Sequence, residues 1–581
     1  MAECFEEHEG RQHKPKESLP QGFRVIDVIR RRIVEMNDCS FVALSYVWGL
    51  DSRPSLLTAT CATIEEMKKD GGLPASEMPQ TIEDAITVCA QLGERYLWAD
   101  RLCIIQDSAE DKRNQIDAMG DIYSSARLVL IVAYGDSMDF GIPGIGHPRE
   151  IVQHHGDVSG LRVTNIIGEV EGDPLALWHT RGWTYQEAVL AKRRLYFTNV
   201  RAFFEYGQSI CHEDQYNREG LRNEFASHEL LIAEDGSRFD TFARHLKNYT
   251  SRSLKYQSDA YNAFTGISKS LYDKGGVFLN GLPQADFDRA LRWYADIGNN
   301  VTTRLEHPGM VLPTWSWSSV MTLQDPVNYQ ATKLFGTLVP WYTSDPSFPP
   351  ALLKPFNIHA DTITDDDWQV YMAIACSEGC VANISFSLPL KTSNFSTVRE
   401  KFSTRWQSYH MFFKEAIDRV PMTIEYPQTS PLLPQKNGAF LKNLKPGVIL
   451  TRAQAAFLRL AKRPERSGLH IVDSGGEFVG ELCGDVARLE RDVTSPQHDT
   501  NTLFEFIALS LSGKRILAYS GNEKKTKNYF DKCGNSLAVL PIVNLLVIGW
   551  RGSYAYRREL GWIYLVDWAK TDREWKTVLL E

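Results

Sequence analysis

Residues 81–105, TIEDAITVCAQLGERYLWADRLCII, predict a helix that leads into a strand. Thr81 followed by Asp84 is typical of a helix start at which side chains cap exposed amides, and a glycine ends the apolar periodicity. The apolar positions share one helical face: Ile82, Ala85, Ile86, Cys89 and Leu92. The second half is rich in β-favouring side chains and contains the charged pair Asp100-Arg101. We therefore expect a strand with a charged pair at its end.

Further strands and a helix flank this stretch. Phe41 to Tyr46 and Leu128 to Ala133 are short apolar runs that predict buried strands. Ser108 with Asp111 predicts the start of a second helix, which would precede the later strand. The order strand, helix, strand, helix, strand favours a parallel sheet covered by helices.

Ligands of such sheets bind at the carboxyl ends of the strands. At that edge we expect Ser45, Tyr46 and Trp48 after the first strand, and Asp100 and Arg101 after the second. The Arg101 guanidinium is suited to bind phosphate oxygens through paired hydrogen bonds. Two structural alternatives stay open: the charged pair as an ion pair that ties the strand end to the next loop, and the aromatic side chains as parts of the core.

The segment RGWTYQE, residues 181–187, places an aromatic ring and a carboxylate one helical turn apart. Residues i and i+4 share a helix face, so Trp183 and Glu187 would present a flat surface and a carboxylate to one ligand. That pair suits a sugar or a nucleotide. The structural alternative is that Trp183 anchors the helix while Glu187 faces water or pairs with a nearby arginine (Arg181, Arg193 or Arg194).

The composition excludes several classes of function. With 581 residues, a net charge of −8 and a pI near 6.0, the chain lacks the basic character of a nucleic-acid-binding protein. No apolar run reaches the length of a membrane helix, and the charged N-terminal stretch lacks the apolar core of a secretory signal, so we expect a cytoplasmic protein. The ten cysteines show no metal-ligand spacing, and we expect no metal and no bound cofactor. Glycine-rich phosphate loops and the serine-hydrolase elbow are also absent from the sequence.

The C-terminal part of the chain has a different pattern. Residues 312–320, LPTWSWSSV, predict a strand with Trp315 and Trp317 on one face. A proline-rich stretch over 340–355 indicates a linker or surface loop. Beyond it, alternating β-rich runs predict an antiparallel domain. Its last runs would return to pair with the WSW strand.

Four ordered segments resemble the fungal heterokaryon incompatibility (HET) domain: FVALSYVWG (41–49), LPASEMPQTIEDAITVCAQLGERYLWADRLCIIQD (73–107), DKRNQIDAMGDIYSSARLVLIVAYGD (111–136) and RGWTYQE (181–187). The resemblance implies a distant relation to the Toll/interleukin-1 receptor (TIR) fold, a flavodoxin-like parallel sheet with flanking helices. Enzymatic members of that fold cleave NAD at the nicotinamide–ribose bond and carry a catalytic glutamate four residues after a tryptophan.

By this resemblance Glu187 would be the catalytic carboxylate, and NAD would be a substrate rather than a cofactor. Trp183 would shape the pocket, and Ser45, Tyr46 and Trp48 would line its opposite wall. The implied role is nonself recognition and programmed cell death, with self-association or a protein partner needed for activity. Two alternatives remain: a non-catalytic interaction module that signals by homotypic contacts, and an enzyme acting on another nucleotide or sugar.

The predicted domain organisation has four parts. An N-terminal extension (1–39) precedes the HET, TIR-like α/β domain (40–215). A mixed helical and strand region (216–335) follows, and a β-rich domain (336–581) ends the chain. The β-rich domain would be discontinuous if it includes residues 310–320. Together these parts predict an α/β domain followed by a larger α+β, β-rich region.

Overall fold

A computed structural model describes residues 19–49, 56–149, 155–164, 177–207, 209–213, 238–272, 276–295, 301–304, 312–322, 327–330, 332–339, 341–343, 444–462, 468–484, 486, 489–490, 493, 502–515 and 539–581. The chain divides into two compact units, Met1–Gly275 and Gly276–Glu581. Each unit is described by itself below. The predicted domain boundaries remain a proposal.

The helices of the first unit are α1 (Ile64–Met67), α2 (Gln80–Gln91), α3 (Asp100–Cys103), α4 (Ala109–Asp117), α5 (Met119–Ser125), α6 (Leu177–Thr180), α7 (Gly182–Leu190), α8 (Arg238–Thr250) and α9 (Asn262–Leu271). Short 3-10 helices span Ala75–Glu77 and Gln257–Ala260. The strands are β1 (Arg24–Asp27), β2 (Arg32–Glu35), β3 (Val42–Ser45), β4 (Tyr96–Trp98), β5 (Leu128–Val132), β6 (His155–Val158), β7 (Leu161–Thr164), β8 (Arg193–Phe197), β9 (Ala202–Tyr206) and β10 (Ser209–His212).

Within the described residues, one sheet of this unit has the strand order β10-β9-β8-β5-β3-β4-β1-β2. The central strands β8, β5, β3 and β4 are parallel. Both edges are antiparallel because short turns connect β1 to β2 and join β8, β9 and β10. The predicted α/β architecture is therefore confirmed, but the sheet is mixed rather than wholly parallel.

Several local predictions are confirmed. The strand predicted from Phe41 is β3, and the run from Leu128 is β5; every residue of both strands is buried. Ser108 caps α4, because its side chain accepts a hydrogen bond from the Asp111 amide. The helix that starts there is interrupted at Ala118 and continues as α5.

The predicted cap of α2 is wrong. The helix begins at Gln80 after Pro79, and no side chain caps its first turn. Thr81 and Asp84 instead bind the loop after β5. The Gly141 amide donates to the Thr81 hydroxyl at 3.1 Å, and the Ile142 amide donates to Asp84 at 2.7 Å. These side chains tie two loops together because the folded chain brings buried amides to them.

The strand predicted for residues 95–105 is also shorter than expected. It ends at Trp98, and Asp100 and Arg101 lie in the first turn of α3. Ile104 and Ile105 are β-favouring but lie outside any strand. Burial of this short helix against the sheet overrides local β propensity.

The second unit is rich in strands, as predicted. Its strands are β11 (Phe278–Leu279), β12 (Leu282–Pro283), β13 (Trp293–Ala295), β14 (Val301–Thr303), β15 (Val320–Thr322), β16 (Val327–Tyr329), β17 (Lys333–Thr337), β18 (Trp341–Thr343), β19 (Ile449–Lys462), β20 (Leu469–Val472), β21 (Phe478–Leu482), β22 (Leu503–Arg515), β23 (Val539–Arg551), β24 (Tyr554–Tyr564) and β25 (Glu574–Leu580). Its helices are α10 (Phe287–Ala290) and α11 (Leu565–Lys570), with 3-10 helices at Gln284–Asp286 and Trp317–Ser319.

The large sheet of this unit contains β17 to β25, and most of its pairs are antiparallel. β17 pairs with β22, and β18 pairs with β19, so strands from 333–343 join strands more than a hundred residues later. Long strands β22, β23 and β24 pair consecutively. The antiparallel region is confirmed.

The strand predicted around WSW is wrong. Trp315 lies in a turn and Trp317 begins a 3-10 helix. Each indole is buried and donates to a carbonyl: Trp315 to Gly447 at 2.9 Å and Trp317 to Gly281 at 3.1 Å. The late strands therefore find other partners. The run at 358–377 and most of the proline-rich stretch lie outside the described residues.

Candidate functional site

Ser45 lies at the carboxyl end of β3 and links two side chains that follow it far along the chain. Its hydroxyl donates to Oε2 of Glu187 over 2.5 Å. The Trp178 indole donates to the same hydroxyl oxygen over 2.9 Å. Ser45 is fully buried and Trp178 is nearly so. These contacts form a hydrogen-bond chain from the indole through the serine to the carboxylate.

Glu187 is carried by α7, a helix buried along most of its length. Only 7% of the residue is exposed, which leaves it little contact with water. Burial raises the pKa of its carboxyl to about 7. The hydrogen bond from Ser45 and the charge of Arg181 act in the opposite direction, whereas the nearby Asp100 adds to the increase. The carboxyl is therefore poised to exchange protons near neutral pH.

Tyr123, on α5, completes the surroundings of this carboxylate. Its hydroxyl donates to the Leu44 carbonyl at 3.1 Å and lies beside Glu187. Burial, followed by the charge of Glu187, raises the Tyr123 pKa well above its usual value. The phenol therefore stays protonated and packs beside the Glu187 carboxylate as an uncharged group.

Asp100 forms a second acidic centre at the same sheet edge. The Trp48 indole donates to both of its carboxylate oxygens, at 3.0 and 2.9 Å. The Arg101 amide also donates to Asp100, at 2.8 Å. Burial raises the Asp100 pKa despite these contacts. The buried Tyr46 hydroxyl lies near this carboxylate without meeting hydrogen-bond geometry, and burial together with Asp100 raises the Tyr46 pKa.

The Arg101 guanidinium binds backbone carbonyls. It donates to Leu57 at 3.0 Å and to Leu56 at 3.5 Å, and it lies 5.5 Å from the ring centre of Trp48. Only 4% of the residue is exposed. These contacts favour a structural role in holding the loop after β3. They weigh against the predicted phosphate contact.

The Trp183 side chain does not join the contacts around Glu187 and lies in another part of the unit. Its indole donates to Oδ2 of Asp259 at 3.1 Å, and its ring packs against the sheet core. Trp183 and Glu187 are one turn apart on α7 but bind different partners. The indole in contact with the serine belongs to Trp178, which we did not predict. The available signal was weak: a lone tryptophan in LWHT, five residues before Trp183.

Arg181 directly precedes α7 and brings a positive charge to both acidic centres. Its charge lowers the pKa of Glu187 and of Asp100 against the larger, raising effect of burial. The residue is partly buried. Within the described part of the chain, no side chain forms a hydrogen bond or ion pair with its guanidinium. It is therefore a better placed cation for an anionic ligand than Arg101.

The described residues contain no group of three or more histidine, cysteine or acidic side chains arranged to hold a metal ion. What the site does contain is a buried carboxyl group, Glu187, and a partly buried one, Asp100, with aromatic and hydroxyl neighbours. Such an arrangement suits proton transfer and the stabilisation of positive charge on a ligand.

Residues 41–187 match the family model described as Heterokaryon incompatibility protein (HET). A relative from Neurospora crassa, heterokaryon incompatibility protein 6, OR allele, is 32% identical over 98 residues. This chain carries a HET domain. The match to the relative covers 16% of this chain and 14% of that protein, so the chain spans a small part of its length. No solved structure matches the chain.

The HET domain match begins at Phe41, just before β3, and ends at Glu187 inside α7. It therefore includes every side chain of the hydrogen-bond chain that joins Trp178, Ser45 and Glu187. The last turn of α7 and the helices α8 and α9 follow the matched segment. No helix in the described part of the chain has the length and apolar character needed to cross a membrane.

Proposed function

We propose that the HET domain hydrolyses NAD, or a closely related nucleotide, at the bond between the ribose and its base. Glu187 is the catalytic carboxylate. The observation that carries this proposal is the 2.5 Å contact from Ser45 to a carboxyl that is 7% exposed at the carboxyl edge of the parallel strands. Ligands of open α/β sheets bind at that edge.

The chemistry suits one buried carboxylate. The C1′–N bond of NAD breaks with both electrons leaving on nitrogen, so nicotinamide departs neutral and positive charge develops on the ribose. An ionised Glu187 stabilises that charge in a poorly hydrated site. Water then attacks C1′, and the carboxylate accepts its proton, giving ADP-ribose. The pKa near 7 leaves a substantial fraction of Glu187 ionised at neutral pH.

The surrounding side chains would contact the rest of the nucleotide. Asp100 would accept hydrogen bonds from sugar hydroxyls, and the Tyr46 hydroxyl would form others. The Trp48 indole, which donates to Asp100, supports this assignment by orienting the carboxylate. Arg181 supplies the positive charge that a pyrophosphate requires. This assignment replaces Arg101, whose guanidinium binds the Leu56 and Leu57 carbonyls.

The proposed fold relation is to TIR domains. It is supported by the parallel central strands, by β3 ending at Ser45 and by the spacing of Trp183 and Glu187. The proposed biological role is fungal nonself recognition ending in cell death in the cytoplasm. It is supported by the HET family match and by the incompatibility protein of Neurospora crassa. Self-association or a protein partner would complete the active assembly.

Burial of Glu187 also favours a second candidate. A carboxyl with so little exposure and a serine partner can act as an internal hydrogen-bonding group of a non-catalytic interaction module. In that case the HET domain signals by contacts with other proteins, and Glu187 contributes only to the stability of the fold.

The deciding experiment compares full-length wild type with Glu187→Gln. NAD consumption and nicotinamide release are measured at several protein concentrations, including a fusion that enforces assembly. Asp288→Asn is the matched control, because Asp288 is a similarly buried carboxyl of the second unit whose pKa is also raised to about 7 by burial.

We expect the wild type to release nicotinamide and Glu187→Gln to lose at least about 100-fold in rate, as for other groups that stabilise developing charge. Asp288→Asn should keep nearly full rate. Equal turnover in Glu187→Gln and wild type would reject Glu187 as the catalytic group. Absence of turnover in every assembled form would favour the interaction module.

A further inference from the structure

The segment after α8 binds the start of α7 through its backbone. The Ser253 amide donates to the Thr180 carbonyl at 2.6 Å, and the Gly182 amide donates to the Ser253 carbonyl at 2.8 Å. A Cβ atom on Gly182 would lie 2.6 Å from Cδ2 of Leu254. Only glycine permits this close approach without displacement of the leucine. The first residue of α7 is thus fixed from outside the HET match.

Arg252 adds side-chain contacts to the same turn. Its guanidinium donates to the Arg181 carbonyl at 3.3 Å and lies 3.4 Å from the Thr184 hydroxyl. It also lies 4.6 Å from the ring centre of Tyr185. The Tyr185 hydroxyl is 2.9 Å from Nδ1 of His245 on α8. One cation therefore contacts three residues at the start of α7, and a hydrogen bond to α8 holds the Tyr185 ring that it packs on.

The side-chain partners of this cation, within the described part of the chain, are uncharged. Among the described residues, no acidic side chain forms an ion pair with Arg252, and burial lowers its guanidinium pKa to about 10. Arg252 is partly buried, and removing a cation from water is costly unless its contacts are well arranged. Here the contacts are a carbonyl, a hydroxyl and an aromatic face, and all belong to residues 181–185. Arg252 therefore binds the turn of the chain that leads to Glu187.

We propose that Arg252 is a positioning residue: it fixes the first turn of α7 and so places Glu187 against Ser45. The reason is mechanical, because a helix of nine residues moves largely as a unit and Glu187 lies within one turn of Thr184 and Tyr185, which Arg252 contacts. A displacement of about 1 Å at a reacting group is enough to reduce a rate strongly. The catalytic consequence rests on the proposed function, whereas the placement of Glu187 does not.

The titration of Glu187 tests placement without any turnover. If the α7 start shifts, the Glu187 carboxyl gains water and also loses the Ser45 hydrogen bond. Burial is the largest effect on this pKa and the hydrogen bond the next largest, so the net result is a fall toward the ordinary value. Loss of a positive charge would act in the opposite direction and raise a carboxyl pKa. The sign of the shift therefore separates positioning from a simple charge effect.

The experiment uses the full chain in three forms: wild type, Arg252→Met and Arg252→Lys. The Glu187 carboxyl band is followed by infrared difference spectroscopy, with the matching Glu187→Gln protein subtracted in each background to remove other carboxyls such as Asp288. Arg24→Met is the control for loss of an arginine side chain inside the same unit, because Arg24 binds Asp111 and the Cys103 carbonyl instead of α7. Thermal unfolding establishes that each variant is folded.

We expect Arg252→Met to lower the Glu187 pKa by at least about one unit, and Arg252→Lys by less, because lysine keeps the charge but lacks the planar group. Arg24→Met should leave this pKa unchanged. Where NAD is cleaved, kcat should fall about tenfold or more with little change in KM. An unchanged or raised Glu187 pKa in a folded Arg252 variant would overturn the proposal. If Arg252→Met does not fold, Arg252→Lys decides by the same criterion.

The two proposals fail in different ways. A wild-type protein without turnover whose Glu187 pKa falls in Arg252→Met would reject NAD hydrolysis and retain positioning. Normal turnover with an unchanged Glu187 pKa in the folded Arg252 variants would retain NAD hydrolysis and reject positioning by Arg252.

Discussion

The hydroxyl of Ser45 donates to Oε2 of Glu187 over 2.5 Å across 142 positions of the chain. The contact joins the end of a central parallel strand to the middle of α7. At this length it is typical of a charge-assisted hydrogen bond to a carboxylate. It lowers the Glu187 pKa against the larger effect of burial, so the two opposing effects set the ionisation of this group near neutral pH.

Replacing Ser45 with alanine should raise the Glu187 pKa above about 7, because the hydrogen bond that favours the charged form is lost. It also leaves the Trp178 indole without its acceptor, so we expect a loss of about 1 to 3 kcal/mol in the free energy of unfolding. Ser268→Ala is the control, since that serine is 1% exposed and its hydroxyl oxygen has no described hydrogen-bond partner. A Ser45→Ala protein with wild-type titration would contradict the assignment.

Glu187 should make the wild type less stable as the pH rises. A carboxyl with a raised pKa in the folded state stabilises the fold fully below its unfolded value of 4.5, and this contribution is lost as the pH rises through about 7. The shift corresponds to about 3 kcal/mol. Denaturant unfolding between pH 4 and 9 should therefore show a decline that is smaller in Glu187→Gln. Superimposable pH profiles would show that the carboxyl is not shifted.

Two tryptophans near Glu187 should differ in their effect on turnover. Trp178→Phe removes the donor to Ser45 and should reduce NAD cleavage about tenfold, the equivalent of one hydrogen bond. Trp183→Phe removes a donor to Asp259 and should leave the rate nearly unchanged. Both rates are measured with proteins of comparable thermal stability. A larger effect at Trp183 would support its predicted contact with the ligand.

Substitution of Arg101 should reduce the stability of the fold, whereas substitution of Arg181 should reduce ligand binding. Arg101→Met removes the bonds to the Leu56 and Leu57 carbonyls, so we expect a lower melting temperature. Arg181→Met should keep the melting temperature, raise the Glu187 pKa through loss of a nearby cation, and weaken nucleotide binding. Calorimetric titration with NAD and with ADP-ribose measures the affinity. Unchanged affinity in Arg181→Met, with a loss in a folded Arg101→Met protein, would restore the original phosphate assignment.

Local patterns were sufficient for several elements. The apolar runs of β3 and β5 predicted buried strands, and the Ser108–Asp111 pair predicted the start of α4. Each depends on neighbours within a few residues. The same kind of reasoning placed Glu187 on a helix, and the structure confirms that helix as α7.

Local patterns failed where distant segments supply the partner. Thr81 and Asp84 have the spacing of a helix cap, but Gly141 and Ile142 bring buried amides to them. Trp315 and Trp317 alternate like strand residues, yet each indole donates to a distant carbonyl. An unsatisfied buried donor or acceptor costs more than a local preference contributes, so the long-range partner decides.

The sequence by itself determined the α/β character of the first unit, the strand-rich character of the second and the HET resemblance, because periodicity and ordered motifs are properties of consecutive residues. Only the tertiary structure decided that Trp178 rather than Trp183 contacts Ser45, and that Arg101 binds backbone carbonyls. It also determined the raised pKa of Glu187. The physical reason is that burial and hydrogen-bond partners depend on which distant segments meet, and spacing along the chain does not contain that information.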